Sequence, residues 1–134
     1  MIAITQMLLS NGSTRHLTVQ AMWIALLVFA LNQAVEFVHL QMYDKPYAAL
    51  CDWDCGWYSG IVDSGYDKQA HAHERGDAAN WAFFPAFSMT ARVVATLGDI
   101  PSRAALIITS KFFFLLAIFA FIRFVQTYDP RISA

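Results

Sequence analysis

The sequence predicts an all-α integral membrane protein, a single domain of two transmembrane helices joined by an extracytoplasmic loop with a short interfacial helix. Of its 134 residues, 57% are hydrophobic and only 14% are charged, whereas soluble domains average about 25% charged residues. The apolar residues are concentrated in two long runs, and most of the acidic residues lie between them. So much apolar surface in so short a chain favours lipid as the surrounding solvent.

The first predicted span covers about residues 17–40. It contains the uncharged run AMWIALLVFAL, and a helix of this length reaches about 36 Å, enough to cross a hydrocarbon core of ~30 Å. Residues 1–16 lack a charged segment before their apolar stretch and a cleavage site of small residues, so we expect no cleaved signal peptide. Towards the far end of the span, Asn32, Glu36 and His39 share one helical face. Glu36 either pairs with His39 near the interface or marks a functional site, because an intramembrane carboxylate rarely faces lipid.

The second predicted span covers about residues 104–125, around the run FFFLLAIFAFI. Arg123 lies at its far end, where a long side chain can extend to the interface. Lys111 lies about two turns into the segment. We favour a similar extension of Lys111 towards the membrane face, and the functional alternative is contact with a charged lipid head group.

Basic residues beside the spans predict the orientation of the chain. Lysine and arginine near span ends favour the cytoplasmic side, so Arg15, Arg123 and Arg131 place both termini in the cytoplasm, although Lys45 and Arg103 oppose this assignment. The loop between the spans is then extracytoplasmic, at a bacterial inner membrane or a similar one. The net charge of −1 and the lack of a basic run give no reason to expect nucleic acid as a partner.

The loop covers residues 41–103, and within it residues 82–98 form a third apolar stretch. This stretch is too short, and too interrupted by Pro85, to be a span, so we expect a helix that lies in the interface or re-enters it without crossing. Its predicted apolar face consists of Phe83, Phe84, Phe87, Val94 and Leu97, with Ser88, Thr90 and Arg92 elsewhere. Ser102 is a candidate cap for the helix that follows.

Aspartates, aromatic residues and cysteines are concentrated just beyond the first span, in the run CDWDCGWY of residues 51–58. Tryptophan and tyrosine commonly form belts at membrane interfaces, which accounts for Trp53 and Trp57 but not for Asp52 and Asp54. A carboxylate at a partly dry interface is costly to ionise unless it is paired, so a functional role for one of these aspartates is the alternative to an ordinary interfacial segment.

Two further pairs of residues, one of cysteines and one of histidines, are candidates for a disulfide and for metal binding, respectively. Cys51 and Cys55 either form a local disulfide, if the loop faces an oxidising compartment, or remain two buried thiols, which is the interpretation that we favour. His71 and His73 are weak candidates for metal ligands, because neighbouring residues do not complete a ligand set and a solvated loop explains them as well.

The order of these residues resembles one family of membrane glycosyltransferases. Three short segments match the family pattern in order and spacing, namely Trp53-Asp54, Gly65-Tyr66 and Phe83-Phe84-Pro85. The family is that of the PIG-V-type mannosyltransferases, which add the second mannose in GPI-anchor synthesis, together with their bacterial relatives. The resemblance extends over about residues 20–125 and implies the start of a GT-C fold.

The resemblance implies transfer of a hexose such as mannose from a polyprenyl-phosphate donor to a lipid-linked or cell-envelope acceptor. It makes Asp54 the catalytic base for the acceptor hydroxyl, with Asp52 and Glu36 in secondary roles. A divalent cation, Mg²⁺ or Mn²⁺, is a candidate cofactor that Asp52 and Asp54 would hold. The expected substrate-binding residues are Trp53, Trp57, Tyr66 and Arg92, the last through the donor phosphate unless it only extends to the interface.

Members of the family have more spans than this chain, so the resemblance covers only their amino-terminal part. We therefore expect another membrane chain, or further sequence, to complete the enzyme, with membrane lipids around it. The alternative is a non-catalytic small membrane subunit that binds a lipid or a partner transmembrane helix.

Overall fold

The computed structural model describes residues 2–69 and 79–128. In these two ranges the regular structure is entirely helical, without a strand. The α-helices are α1 (Ile2–Met42), α2 (Cys55–Ser64), α3 (Pro85–Gly98) and α4 (Ser102–Tyr128), and short 3-10 turns lie at Tyr47–Leu50 and Asn80–Ala82. The predicted all-α class is confirmed for this part of the chain.

Two helices, α1 and α4, are long and apolar enough to cross a membrane, as predicted. The apolar part of α1 covers Arg15–Met42, which is 28 residues, and α4 has 27 residues. Many of their large apolar side chains are exposed, among them Trp23 in α1 at 64% and Phe121 in α4 at 66%. Exposed apolar surface of this extent is costly in water but ordinary for a helix that faces lipid.

Helix α1 begins at Ile2, well before the predicted start of the first span at residue 17. No proline interrupts residues 2–16, so the backbone hydrogen-bond ladder can propagate through them. The 41 residues of α1 reach about 62 Å, roughly twice the thickness of a hydrocarbon core. The ends of α4 lie within a turn of the predicted 104–125.

The chain divides into two compact units. One contains α1 and the part of α4 from Phe113 onwards, and the other runs from Asp44 to Phe112. In the first unit the rings of Phe29 and Phe114 lie 6.4 Å apart between centroids, in a tilted arrangement. Ala21 and Ala25, one turn apart on α1, are at most 1% exposed, and small residues at this spacing are typical of closely packed helices.

The second unit has a small apolar core to which three helices contribute. Val62 from α2, Ala91 from α3 and Leu106 from α4 are buried together, and Tyr58 and Phe87 pack around them, half-buried. Helix α2, which the sequence did not predict, packs against α3. The predicted loop of residues 41–103 is therefore a folded unit, with helix and turns along much of its described length.

The buried side of α3 differs from the predicted apolar face. Ser88 and Ala91 are fully buried at 0% exposed, whereas Phe84 and Leu97 are 81% and 83% exposed. Small side chains allow α2 to lie close to α3, so the buried stripe is small rather than aromatic. The helix also begins at Pro85 instead of residue 82, because proline at the first helical position loses no hydrogen bond. Its 14 residues reach only about 21 Å.

Candidate functional site

A disulfide between Cys51 and Cys55 closes the aspartate-rich segment into a ring. The favoured interpretation of two buried thiols was therefore wrong, and the alternative of a local disulfide is the one that the structure has. The chain turns here to enter α2, which brings the two Cα atoms within 5.4 Å. Both cysteines are half-buried and pack against the core residues of the second unit. The segment that holds Asp52 and Asp54 is therefore anchored to the core at both ends. We call residues 51–55 the acidic loop.

Trp53 projects from the acidic loop with an unusual backbone conformation. Its φ is +54°, a region that a bulky side chain rarely adopts, and the residue is 94% exposed. Two hydrogen bonds stabilise the turn: a side-chain oxygen of Asp52 accepts from the Trp53 amide at 2.8 Å, and the Asp52 carbonyl accepts from the Cys55 amide at 3.1 Å. The indole is therefore held away from the core, between two carboxylates.

Asp54 immediately precedes α2. Its backbone carbonyl accepts hydrogen bonds from the amides of Trp57 and Tyr58 at 3.0 and 3.2 Å. An aspartate in this position commonly caps the helix through its side chain, but the Asp54 side chain makes no such bond. The residue is exposed, so its carboxylate remains accessible to a ligand.

The acidic loop borders a cavity of about 260 Å³, which we call the acidic cavity. The loop contributes Asp52, Trp53 and Asp54 to the lining, whereas α3 and α4 contribute the apolar residues Phe87, Leu106 and Ile107. Ser110 also lines the cavity, about 12 Å along α4 from its first residue. The lining is thus polar on the loop and apolar along α4, a combination that suits an amphiphilic ligand.

Trp57 does not line the acidic cavity. Its indole stacks on the ring of Phe83 with 5.9 Å between centroids. Tyr58 meets Phe83 and Phe87 edge-on at 4.8 and 5.1 Å, and only Tyr58 and Phe87 of this aromatic cluster reach the cavity. Such ring pairs stabilise packing beyond their buried area, so the cluster attaches α2 to the segment that leads into α3.

Tyr66 also lies outside the lining of the acidic cavity. Its hydroxyl donates a 2.7 Å hydrogen bond to the Phe83 carbonyl. Gly65 precedes it with φ 86° and ψ −166°, a conformation that is essentially restricted to glycine. In this structure the Gly-Tyr pair of the family resemblance therefore forms a turn and a hydrogen bond that joins two segments.

Asn80 is a buried polar residue whose importance the sequence did not indicate. It is 3% exposed. Its side-chain oxygen accepts a hydrogen bond from the backbone amide of Asp67 at 2.9 Å, and its backbone amide donates to the Asp67 carboxylate at 2.8 Å. The side-chain nitrogen donates to the Gly65 carbonyl at 3.2 Å, and the Trp81 indole donates to the Asp67 carbonyl at 2.6 Å. These bonds hold residues 65–67 against residues 80–83.

The remaining predicted site residues lie elsewhere. Arg92 is exposed and lines a different cavity on α3, because it follows Phe87 by five positions and so points about 140° away around the helix axis. Glu36 is half-buried on α1, in the first unit. His71 and His73 lie outside the described residues.

No group of three or more histidine, cysteine, aspartate or glutamate side chains is arranged for a metal ion within residues 2–69 and 79–128. Asp52 and Asp54 would supply two carboxylates, and one oxygen of Asp52 already accepts the Trp53 amide. Magnesium is commonly held by one or two carboxylates, with water and substrate phosphate as the other ligands. The acidic loop is compatible with that mode of binding.

Comparisons with protein-family models, with functionally characterised proteins and with solved structures find no match to this chain. The candidate chemistry of the site therefore rests on its own residues. These are two carboxylates and an exposed indole on a covalently closed loop, beside a cavity with an apolar wall.

Proposed function

We propose that this chain supplies the catalytic loop of a membrane glycosyltransferase, which moves a hexose such as mannose from a polyprenyl-phosphate donor to a lipid-linked or cell-envelope acceptor. The observation that carries the proposal is the exposed Asp54 carboxylate, which does not cap α2 and lies beside the acidic cavity. The ordered resemblance to the PIG-V-type mannosyltransferases supports the same residue as the base.

The proposed reaction is a single displacement. The acceptor hydroxyl gives its proton to Asp54 as its oxygen attacks the anomeric carbon of the donor sugar. The bond from that carbon to the phosphate oxygen breaks, and the polyprenyl phosphate leaves with the bonding electrons, so the anomeric configuration inverts. A correctly placed general base accelerates such a step by about 10²–10⁴-fold, and fixed positions of donor and acceptor supply much of the remainder.

The lining of the acidic cavity suits an amphiphilic substrate. The exposed indole of Trp53 offers a flat apolar face to a sugar ring, and the carboxylate of Asp52 accepts hydrogen bonds from hydroxyl groups. Phe87, Leu106 and Ile107 provide an apolar surface for the hydrocarbon part of a lipid. A sugar joined to a hydrocarbon chain matches both parts of the lining.

The proposal includes membrane insertion through α1 and α4, at a bacterial inner membrane or a similar one, with both termini in the cytoplasm and the acidic loop on the other side. The disulfide supports this orientation, because such bonds persist in oxidising compartments and are rare in the cytosol. Further membrane segments, from a partner chain or from additional sequence, would complete the donor and acceptor sites.

A sugar-transfer assay tests the proposal. Membranes that contain the native assembly receive polyprenyl-phosphate mannose labelled in its sugar, and Asp54→Asn is compared with Asp99→Asn at equal abundance. Asp99 is an exposed residue in the left-handed conformation, which asparagine also adopts readily. We expect transfer to fall by about 10²–10⁴-fold in Asp54→Asn only.

Transfer at the native rate by Asp54→Asn would remove Asp54 from the catalytic role. If no assembly that contains the chain transfers sugar, the enzyme proposal fails. The alternative, a non-catalytic membrane subunit that binds a lipid or a partner helix, would then replace it.

A further inference from the structure

A second cavity, of about 490 Å³, lies in the same unit. Side chains from three elements line it: Tyr47 from the first 3-10 turn, Ser59 and Asp63 from α2, and Ser102 and Arg103 from α4. The proposed sugar transfer uses none of these five residues, although Ile107 lines both cavities. Residues that carry two hydroxyls, a phenol, a carboxylate and a guanidinium thus border one space, which we call the head-group cavity.

The carboxylate of the head-group cavity is held in place. A carboxylate oxygen of Asp63 accepts a 3.2 Å hydrogen bond from the Ser102 hydroxyl. Ser102 was predicted to cap α4, but it is the first residue of that helix and its hydroxyl binds to α2 instead. This bond connects α2 to the beginning of α4 and keeps the acidic group at the edge of the cavity.

Two cations lie along the same side of α4. Arg103, Ile107 and Lys111 are spaced by four residues and therefore share one helical face. Arg103 and Ile107 line the head-group cavity, and the Lys111 ammonium lies 5.7 Å from the ring centroid of Tyr47, another lining residue. Positive charge thus borders the cavity on the α4 side, and the Asp63 carboxylate borders it on the α2 side.

We infer that this cavity binds the head group of a zwitterionic membrane lipid with both a phosphate and a primary ammonium group, which is the phosphoethanolamine class. The Arg103 guanidinium suits a phosphate because its planar N–H groups match two phosphate oxygens, and Lys111 adds a second positive charge. The Asp63 carboxylate accepts hydrogen bonds from the ammonium. A trimethylammonium group has no N–H to donate, and an anionic head group without a cation brings negative charge beside Asp63.

The position of the cavity on α4 fits a lipid. Arg103 lies at the beginning of a helix that is long and apolar enough to cross a membrane, and Ile108 and Phe112, further along it, are 45% and 54% exposed. These apolar side chains would contact the acyl chains of a lipid whose head group occupies the cavity. The inference rests on the membrane insertion included in the proposed function, but not on sugar transfer.

Native mass spectrometry of the full chain in detergent tests the inference. The protein is mixed with equal amounts of dioleoyl phosphatidylethanolamine, phosphatidylcholine and phosphatidylglycerol, and the retained lipids are quantified. We expect phosphatidylethanolamine to be retained about five- to tenfold more than phosphatidylcholine, the effect of about one charge-assisted hydrogen bond. Asp63→Asn keeps an acceptor for Ser102 and should abolish this preference, whereas Arg103→Gln should weaken retention of all three lipids.

Matched controls use exposed residues that do not line the cavity. Asp44→Asn and Arg15→Gln remove the same charges and should leave lipid retention unchanged, and circular dichroism verifies the helical content of every variant. Equal retention of phosphatidylethanolamine and phosphatidylcholine by the native chain would overturn the inference. So would a preference that survives in Asp63→Asn, or stronger retention of phosphatidylglycerol. Because the measurement needs no enzymatic activity, failure of sugar transfer would leave its result unaffected.

Discussion

The sulfur atoms of Cys51 and Cys55 are bonded across the three residues that include both candidate acids. Between them Trp53 holds a positive φ, a backbone conformation that a bulky residue keeps only where its surroundings enforce it. The disulfide and the packing of both cysteines against the core supply that constraint. The disulfide thus holds both ends of the segment that carries Asp54, and such bonds are typical of oxidising compartments.

We therefore expect neither cysteine of the denatured wild-type protein to react with a maleimide-polyethylene glycol reagent until a reductant is added. Both should then react, and because the chain has only two cysteines a gel shift counts them directly. Replacing both by serine should lower the free energy of unfolding by about 2 kcal/mol, the entropy term for a ring of five residues. Full labelling without reductant would contradict the disulfide.

Gly65 and Gly60 form a matched pair for the turn after α2. Gly65→Ala should destabilise the protein by about 1–3 kcal/mol, since its φ and ψ are accessible almost only to glycine. Gly60 lies inside α2 with open space around its Cα, so Gly60→Ala should stabilise the helix by roughly 0.5–1 kcal/mol. Thermal unfolding in detergent, followed by circular dichroism, measures both. Equal effects of the two substitutions would show that the turn conformation is not required.

Asn80→Asp tests the hydrogen bonds that join residues 65–67 to residues 80–83. The substitution removes the donor to the Gly65 carbonyl and places a second carboxylate next to Asp67. A buried hydrogen bond lost in this way costs about 1–3 kcal/mol. Gln69→Glu adds a similar charge at a nearby exposed position and should have little effect. Unfolding midpoints that agree between the two variants would contradict the role of Asn80.

The two long helices were predictable because their apolar residues form runs long enough to require lipid or a large core. Helix α2 could not be predicted in this way, because its sequence CGWYSGIVDS contains two glycines and several residues of low helix propensity. Its stability comes from tertiary contacts, notably the disulfide to Cys51 and the packing of Val62 against Ala91. The sequence offered the disulfide only as an alternative to two buried thiols, and the contact between Val62 and Ala91 joins residues too far apart for any local pattern to predict.

The candidate site was predictable only where its residues are consecutive. Asp52, Trp53 and Asp54 lie in one segment, so the sequence alone brings them together. Phe87 and Ile107 reach the acidic cavity through the packing of α3 and α4, which no spacing in the sequence encodes. For Arg92, predicting the helix was not enough to predict whether its side chain reaches the site. That depends on which side of α3 is buried.

The proposed orientation predicts which introduced cysteines an impermeant thiol reagent can reach in intact cells. In a background without Cys51 and Cys55, Gln69→Cys should be labelled, whereas His16→Cys and Tyr128→Cys should be labelled only after the membrane is permeabilised. All three positions are exposed, so burial does not explain a difference. The opposite labelling pattern would remove the acidic loop from the compartment that the reaction requires.

The two aspartates of the acidic loop should differ in their contribution to sugar transfer. Asp52 already accepts the Trp53 amide through its side chain, and Asp52→Asn retains an oxygen for that bond, so the turn should persist. If Asp54 alone removes the proton, Asp52→Asn should lower kcat by less than about tenfold, while Asp54→Asn lowers it by about 10²–10⁴-fold. If the pair holds a divalent cation, both substitutions should be severe and a chelator should reproduce them, with activity restored by Mg²⁺ or Mn²⁺. If sugar transfer tolerates Asp54→Asn but not Asp52→Asn, then Asp52 and not Asp54 is the base.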